Sequence, residues 1–289
     1  MSVALASDAL LPLLVHIQAN LDTDLSLARL SRRAGVSPSH FHRTFRAEVG
    51  ETLADYVARL RLERAAFRLH VQEASVLQIA LECGYQTHET FTRAFRRAFG
   101  KTPSAYRLWR RRAAAVRAPS RTAPQEACPF ALSATKVVRL RQMNLAFIRH
   151  VGPYENVSDA LFDDLEAWAQ RQRLPGPRVW LGVGHDAPST TPPARLRFDA
   201  ALAVDAPFPA RGRVAHQVIE AGEFATTTHV GPFDSLPDAY LRIFERVVSL
   251  KGYVFVGLPA VEFYRSVRVN TRLRLSETQI CLPVRRIGR

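Results

Sequence analysis

Glu262 stands in the stretch PAVEFYR, a lone carboxylate among Ala260, Val261, Phe263 and Tyr264. In a strand of period two it shares a face with Ala260 and Tyr264. A carboxylate in an apolar strand must find a partner or take a raised pKa. If that face lines a pocket, the partner is a cationic ligand helped by aromatic rings, with Trp180, Tyr240, Phe224 and Tyr264 as candidate walls. If it does not, the partner is a structural salt bridge to Arg265, Arg268 or another arginine. The residues alone leave both readings open.

Two histidines invite a second question. HVGPY at 150–154 recurs as HVGPF at 229–233, and the two phrases start 79 positions apart. Neither copy offers metal-ligand spacing around His150 or His229, so the phrase reads as a strand turning through Gly-Pro into a helix, and no metal or cofactor is expected. No Ser/His/Asp or Cys/His constellation is evident, and no catalytic residue is assigned. The best pair for a hydrolase alternative is Glu262, as general base, with Tyr240 or Tyr264.

The third chemistry is cationic. RTFRAEVGETLADY (43–56) aligns with RAFRRAFGKTPSAY (93–106) at a constant offset of 50. At about 100° per residue, Phe41 and Phe45 share one face of a helix, and Ser39, His42, Arg43 and Arg46 cluster opposite. In the second copy Phe91, Phe95 and Phe99 form the core side, and Glu89, Thr92, Arg93 and Arg96 face away. Arginines and short polar residues on a helix backed by phenylalanines suit the major groove of DNA.

These residues need elements to hold them. LARLSRRAGVSPSHFHRTFRAEVG reads as a helix, a turn at Gly35, then a second helix with Ser37 as N-cap and Pro38 as first residue. VLQIALECGYQTHETFTRAFRRAFG repeats this, with Gly84 at the turn and Thr87 as cap, so two helix-turn-helix units are expected. Between them, residues 52–72 form a helix of about 30 Å. That separation approaches one turn of B-DNA, about 34 Å, so one monomer is expected to read two successive major grooves.

In the second half, Val157, Leu161, Phe162, Leu165 and Trp168 map onto Leu236, Tyr240, Leu241, Phe244 and Val247, one helical face in each copy. Each copy reads β-α-β-β, and the strand-like PAVEFY of the second copy aligns with the first so that Glu262 corresponds to Val183 if no gap intervenes. The fold class is α+β. An N-terminal all-α double helix-turn-helix domain (1–112) is followed by a linker (113–135). A tandem β-α-β-β domain comes last (136–289, repeats about 136–210 and 211–289), with an antiparallel sheet and helices on one face.

Composition agrees with this division. The chain has 289 residues, 47% apolar, and a net charge of +14. Residues 1–112 carry 17 basic and 10 acidic side chains, 113–149 carry 6 and 1, and 150–289 carry 17 and 15. The excess sits where a polyanion would be met. No apolar run is long enough to span a bilayer, and the N-terminus has no basic leader or small-residue cleavage site. With Cys83, Cys128 and Cys281 far apart, a cytoplasmic protein with reduced thiols is expected, and no membrane partner.

Residues from about 10 to 110 resemble the DNA-binding domain of the AraC/XylS family of bacterial transcription regulators, in the segments just quoted and in ETLADYVARLRLERA. The resemblance implies base readers at Ser39, His42 and Arg43, and at His88, Glu89, Thr92 and Arg93. Its N-terminal position resembles the Rob-like branch. Residues 136–289 resemble the GyrI-like effector-binding family of Rob-like and multidrug-sensing regulators, in the two HVGP phrases, LRFDAALAV, PAVEFY and TQICLPV. That resemblance implies a ligand pocket between the repeats with a glutamate at the position of Glu262. RSVRVNTRLRL departs from the family's usual acidic, Pro-containing tail. The implied protein regulates transcription and is not an enzyme. Its partners are double-stranded promoter DNA, a small amphipathic or cationic effector and RNA polymerase, and the alternative for its second half is a hydrolase or a protein-interaction module.

Overall fold

The computed structural model describes residues 7–117, 130–210, 212–257, 259–270 and 273–287. The chain divides into two compact units, residues 1–118 with 209–215, and residues 119–208 with 216–289. Of the stretch read as a linker, residues 113–117 continue a helix and 131–132 form a strand, while 118–129, with Cys128, lie outside the described residues.

The first unit is helical: α1 (Ser7–Ala19), α2 (Leu27–Arg33), α3 (Pro38–Val49), α4 (Leu53–Val71), α5 (Val76–Glu82), α6 (His88–Phe99) and α7 (Pro103–Arg117). The second helix of each pair starts on a side-chain cap. Ser37 Oγ accepts from the His40 amide at 3.3 Å and Thr87 Oγ1 from the Thr90 amide at 3.2 Å, each satisfying one otherwise orphaned donor. Both helices end at a glycine in the left-handed region, Gly50 and Gly100.

Each pair has its own core, and the two cores repeat one geometry. Phe45 meets Tyr56 edge-on at 5.6 Å, and Phe95 meets Tyr106 edge-on at 5.3 Å. Phe41, Phe45, Phe91 and Phe95 are fully buried, each stabilising by about 1.5–3 kcal/mol. Helix α4 belongs to both cores. Its first half gives Leu53, Tyr56, Val57 and Leu60 to one, and its second half gives Leu62, Ala65, Ala66 and Leu69 to the other. At 19 residues it is about 28 Å long. Arg61, from its middle, donates to the carbonyls of Leu21 and Thr23. A Cβ on Gly84 would strike both Arg61 and the Leu21 carbonyl, and φ is +82° there, so the second turn needs glycine.

The second unit carries β1 (Ala131–Leu132), β2 (Lys136–Leu140), β3 (Met143–Val151), α8 (Ala160–Arg171), β4 (Trp180–Gly184), β5 (Arg197–Val204), β6 (Ala215–Ile219), β7 (Gly222–Gly231), α9 (Leu236–Val248), β8 (Tyr253–Phe255), β9 (Ala260–Asn270) and β10 (Leu273–Arg286). One sheet runs β1-β7-β10-β9-β4-β5-β3-β6, with β2 also on β7 and β8 on β10. The pairings whose register is resolved are antiparallel. The two repeats are β3-α8-β4-β5 and β7-α9-β9-β10. They join where β4 pairs with β9. The short strands β1, β2, β6 and β8 stand outside the β-α-β-β reading.

Strand register corrects the alignment of the repeats. His150 pairs with Phe198, and His229 pairs with Thr278. Phe198 pairs with Gly184, and Thr278 pairs with Tyr264. Gly184 and Tyr264 are therefore equivalent, and two residues back the counterpart of Glu262 is Gly182, not Val183. The second copy is one residue longer between its histidine and this strand. Gly182 and Glu262 also pair directly with each other, so the pseudo-twofold axis of the sheet passes between them.

Candidate nucleic-acid interface and ligand cage

The duplicated helices present the expected polar faces. Ser39, Arg43 and Arg46 on α3 are exposed, and His42 beside them is half-buried. On α6, His88, Glu89, Arg93 and Arg96 are exposed and Thr92 is half-buried. Phe41 and Phe45, or Phe91 and Phe95, anchor the opposite side, so the arginines are held on a fixed surface while their heads reach solvent. Glu89 lies in the first turn of α6, where its backbone amide and Thr87 hold the carboxyl below its usual range. Along ten residues from Phe41 and from Phe91 the sequence of buried and exposed positions is the same.

In the second unit the sheet face that meets α8 and α9 carries a cage of half-buried and exposed aromatic rings around Glu262. Its side chain is only 6% exposed. Tyr240, from α9, donates to one carboxylate oxygen at 2.6 Å. Tyr264, two residues along β9, donates to the other at 2.7 Å. Among the described residues Glu262 forms no ion pair. Arg265, offered as its structural partner, instead bonds Gln279, and the side chain of Arg268 lies outside the described residues. Burial pushes the Glu262 carboxyl up, and the two hydroxyl donors only partly offset it. Burial and the neighbouring carboxylate push both tyrosines well above their ordinary value.

Further rings complete the cage. Phe162 of α8 stands edge-on to Tyr264 at 5.7 Å and to Trp180 at 6.0 Å, and Phe233 is edge-on to Tyr264 at 5.9 Å. Gly182 makes room for Tyr264 and Phe198, since a Cβ there would strike the Tyr264 hydroxyl and the Phe198 ring. Of the residues expected from sequence, the structure therefore brings together Glu262, Tyr240 and Tyr264, with Trp180 linked through Phe162. Phe224 is a correction. Its neighbours Ala225 and Thr227 pair with Leu282 and Ile280, and Ile280 pairs with Glu262. Strand alternation then turns Phe224 to the other face of the sheet, against Val138 and Pro283.

Phe162 and Phe233 were missed as wall residues. Phe162 already lay on the apolar face of its helix, and Phe233 closes the HVGPF phrase. No sequence signal separates a ring that packs on a carboxylate from one that packs on a core. A shallow groove lined by Leu132, Ser133, Thr135, Arg246 and Leu250 contains none of the cage residues and holds one charged group, so the cage is the stronger candidate.

The opposite face holds a second buried carboxylate. Asp199, fully buried, takes a two-pronged bond from Arg149 at 2.7 Å, with His185 at 2.6 Å and Gln217 at 2.8 Å. Among the described residues no cluster of three or more His, Cys, Asp or Glu is arranged to hold a metal, and no helix is long and apolar enough to cross a membrane.

A family model described as a helix-turn-helix domain matches residues 30–108, and one described as a GyrI-like small molecule binding domain matches residues 134–285. Regulatory protein SoxS of Escherichia coli K12 is 37% identical over 95 residues, covering 33% of this chain and 89% of SoxS. The chain belongs to the AraC family of regulators, in the Rob-like arrangement with a GyrI-like domain. This AraC-type regulator is also similar to the transcriptional regulator Rob of Salmonella typhimurium LT2, 36% identical over 95 residues, a third of each chain. The solved C-terminal domain of EcmrR matches 53% of the regulator and 98% of its own length at 20% identity, with a TM-score of 0.42. By the two family models and the SoxS match, the AraC-type chain is a DNA-binding transcription regulator with a small-molecule-binding domain.

Proposed function

We propose that the regulator reads two successive major grooves through α3 and α6 and that its cage binds an amphipathic cation at Glu262. The observation that carries the ligand reading is a buried carboxylate whose two oxygens are met by tyrosine hydroxyls and, among the described residues, by no basic group. A ligand cation would supply the missing countercharge, and the rings of Trp180, Tyr240 and Tyr264 would each add about 0.5–2 kcal/mol. The same geometry argues against the hydrolase alternative, because both carboxylate oxygens are engaged by O–H donors and neither is free to act as a base. The burial of Glu262 beneath these rings likewise favours a small molecule over a docked protein.

The DNA reading rests on the duplicated arginine faces and on α4, which is shared by both cores. Ser39, His42, Arg43 and Arg46 would enter one groove, and His88, Glu89, Thr92, Arg93 and Arg96 the next. A regulator bound to a promoter acts on RNA polymerase, which is the third partner in this proposal. Footprinting should give protection over roughly two turns of duplex with a steep salt dependence. Arg43→Ala and Arg93→Ala should each cost about 1–3 kcal/mol at a selected site. Binding indifferent to both changes and to salt would overturn the assignment.

A further inference from the structure

Next to the cage lies a polar pair that the ligand reading does not use. His229 on β7 is directly opposite Thr278 on β10, and Thr278 is directly opposite Tyr264 on β9. All three share the face that carries Glu262. His229 and Thr278 are completely buried. His229 Nε2 lies 2.8 Å from Ser235 Oγ. The single proton of that hydroxyl goes to the Pro232 carbonyl at 2.7 Å, so Oγ accepts and Nε2 carries the proton. Nδ1 is then a bare acceptor, and burial lowers the pKa of the ring, which keeps it neutral. Among the described residues neither Nδ1 of His229 nor Oγ1 of Thr278 has a hydrogen-bond partner. Buried polar atoms without partners are rare and costly.

The other repeat shows what an ordinary filling looks like. There the counterpart of Thr278 is Phe198, a ring packed edge-on to Tyr154 at 6.2 Å. His150 donates its Nε2 proton to the Pro153 carbonyl at 3.1 Å. The second copy has a hydroxyl where the first has a ring, and a bare imidazole nitrogen beside it. Phe130 lies tilted against His229 at 5.3 Å, under the guanidinium of Arg242, and covers this end.

We propose that His229 and Thr278 form a hydroxyl-binding subsite of the cage, so that the preferred ligand is an aromatic amine bearing a hydroxyl at its far end. The ligand O–H would donate to Nδ1, and its oxygen would accept from the Thr278 hydroxyl, which satisfies both protein atoms at once. The inference rests on the reading that the cage takes a cation at Glu262. One strand spacing and two residues separate Thr278 from Glu262, roughly 8 Å, a span that tyramine can bridge between its ammonium and its phenol.

The test is calorimetric titration of the full chain with tyramine and with phenethylamine, which lacks only the hydroxyl. Tyramine should bind on the order of tenfold tighter. Thr278→Val, and His229→Gln, which keeps a donor for Ser235, should each reduce that ratio to below about twofold and leave phenethylamine affinity unchanged. Thr278→Val should also raise Tm without ligand, because a methyl replaces an unsatisfied hydroxyl. Glu262→Gln should weaken both amines equally and keep the ratio; if it weakens neither, the cation reading fails while the ratio still judges the subsite. Equal affinities in the native chain, no tyramine binding at millimolar concentration, a ratio that survives both variants, or a lower Tm for Thr278→Val would each overturn the proposal.

Discussion

Asp199 and Glu262 are both buried carboxylates of one sheet, on the two strands that flank β4, yet they sit in opposite electrostatic conditions. Asp199 is enclosed by Arg149, His185 and Gln217. Burial alone would raise its pKa, but Arg149 and His185 outweigh burial and hold the carboxyl well below its usual range. Glu262 has two tyrosines and, among the described residues, no cation, and burial wins. Both residues break the repeat. The counterpart of Asp199 is Gln279, which bonds Arg265, and the counterpart of Glu262 is Gly182. A charge whose partners are complete belongs to the scaffold, whereas a charge left to titrate is available for a ligand.

The largest effect should come from breaking the complete site. Asp199→Asn leaves Arg149 buried without its counterion, and urea unfolding should show a loss of about 3–5 kcal/mol. A loss below about 1 kcal/mol would mean that the network is dispensable and that the contrast with Glu262 is false.

Next in size is the ligand effect at Glu262. Glu262→Gln keeps the shape and removes the charge. It should weaken an amphipathic cation by at least tenfold in calorimetry and leave a neutral isostere of that cation unaffected. Without ligand the variant should be as stable as the parent or more so, because an uncompensated buried carboxyl is removed. A large stability loss with unchanged affinity would make Glu262 scaffold, like Asp199.

The smallest and sharpest test is pH. The depressed Asp199 contributes stability that is present above its ordinary value of 3.8 and is lost as pH falls below it. The raised Glu262 acts in the other direction. Its contribution is fully present below 4.5 and is lost as pH rises through its higher folded value. Melting curves across pH should therefore lose their acid slope in Asp199→Asn and their slope above pH 4.5 in Glu262→Gln. Cation affinity should rise with pH over that second window in the parent chain alone.

Much of this was legible in the residues. The two helix-turn-helix units followed from caps at Ser37 and Thr87, turns at Gly35 and Gly84, and phenylalanines spaced by a helical turn, all local signals. Glu262, Tyr240 and Tyr264 were visible as an odd carboxylate and its nearby aromatics. The face of Phe224 was not legible, because it lies on a different strand from Glu262 and the face of a strand relative to a distant one depends on register. An ungapped alignment points to Val183 rather than Gly182 because a one-residue lengthening leaves no mark in the sequence, although it moves every later side chain to the other face.

The sequence by itself determined the duplications, the helices and their polar and apolar sides, and the unusual chemistry of position 262, because these depend on neighbours within a few residues. Tertiary structure alone decided which atoms satisfy each buried charge. It set Arg149 of β3, Gln217 of β6 and His185, just past β4, around Asp199, and, among the described residues, two hydroxyls but no cation around Glu262. Pairing across strands joins residues tens of positions apart, and a buried carboxylate takes its pKa from those distant partners rather than from its place in the chain.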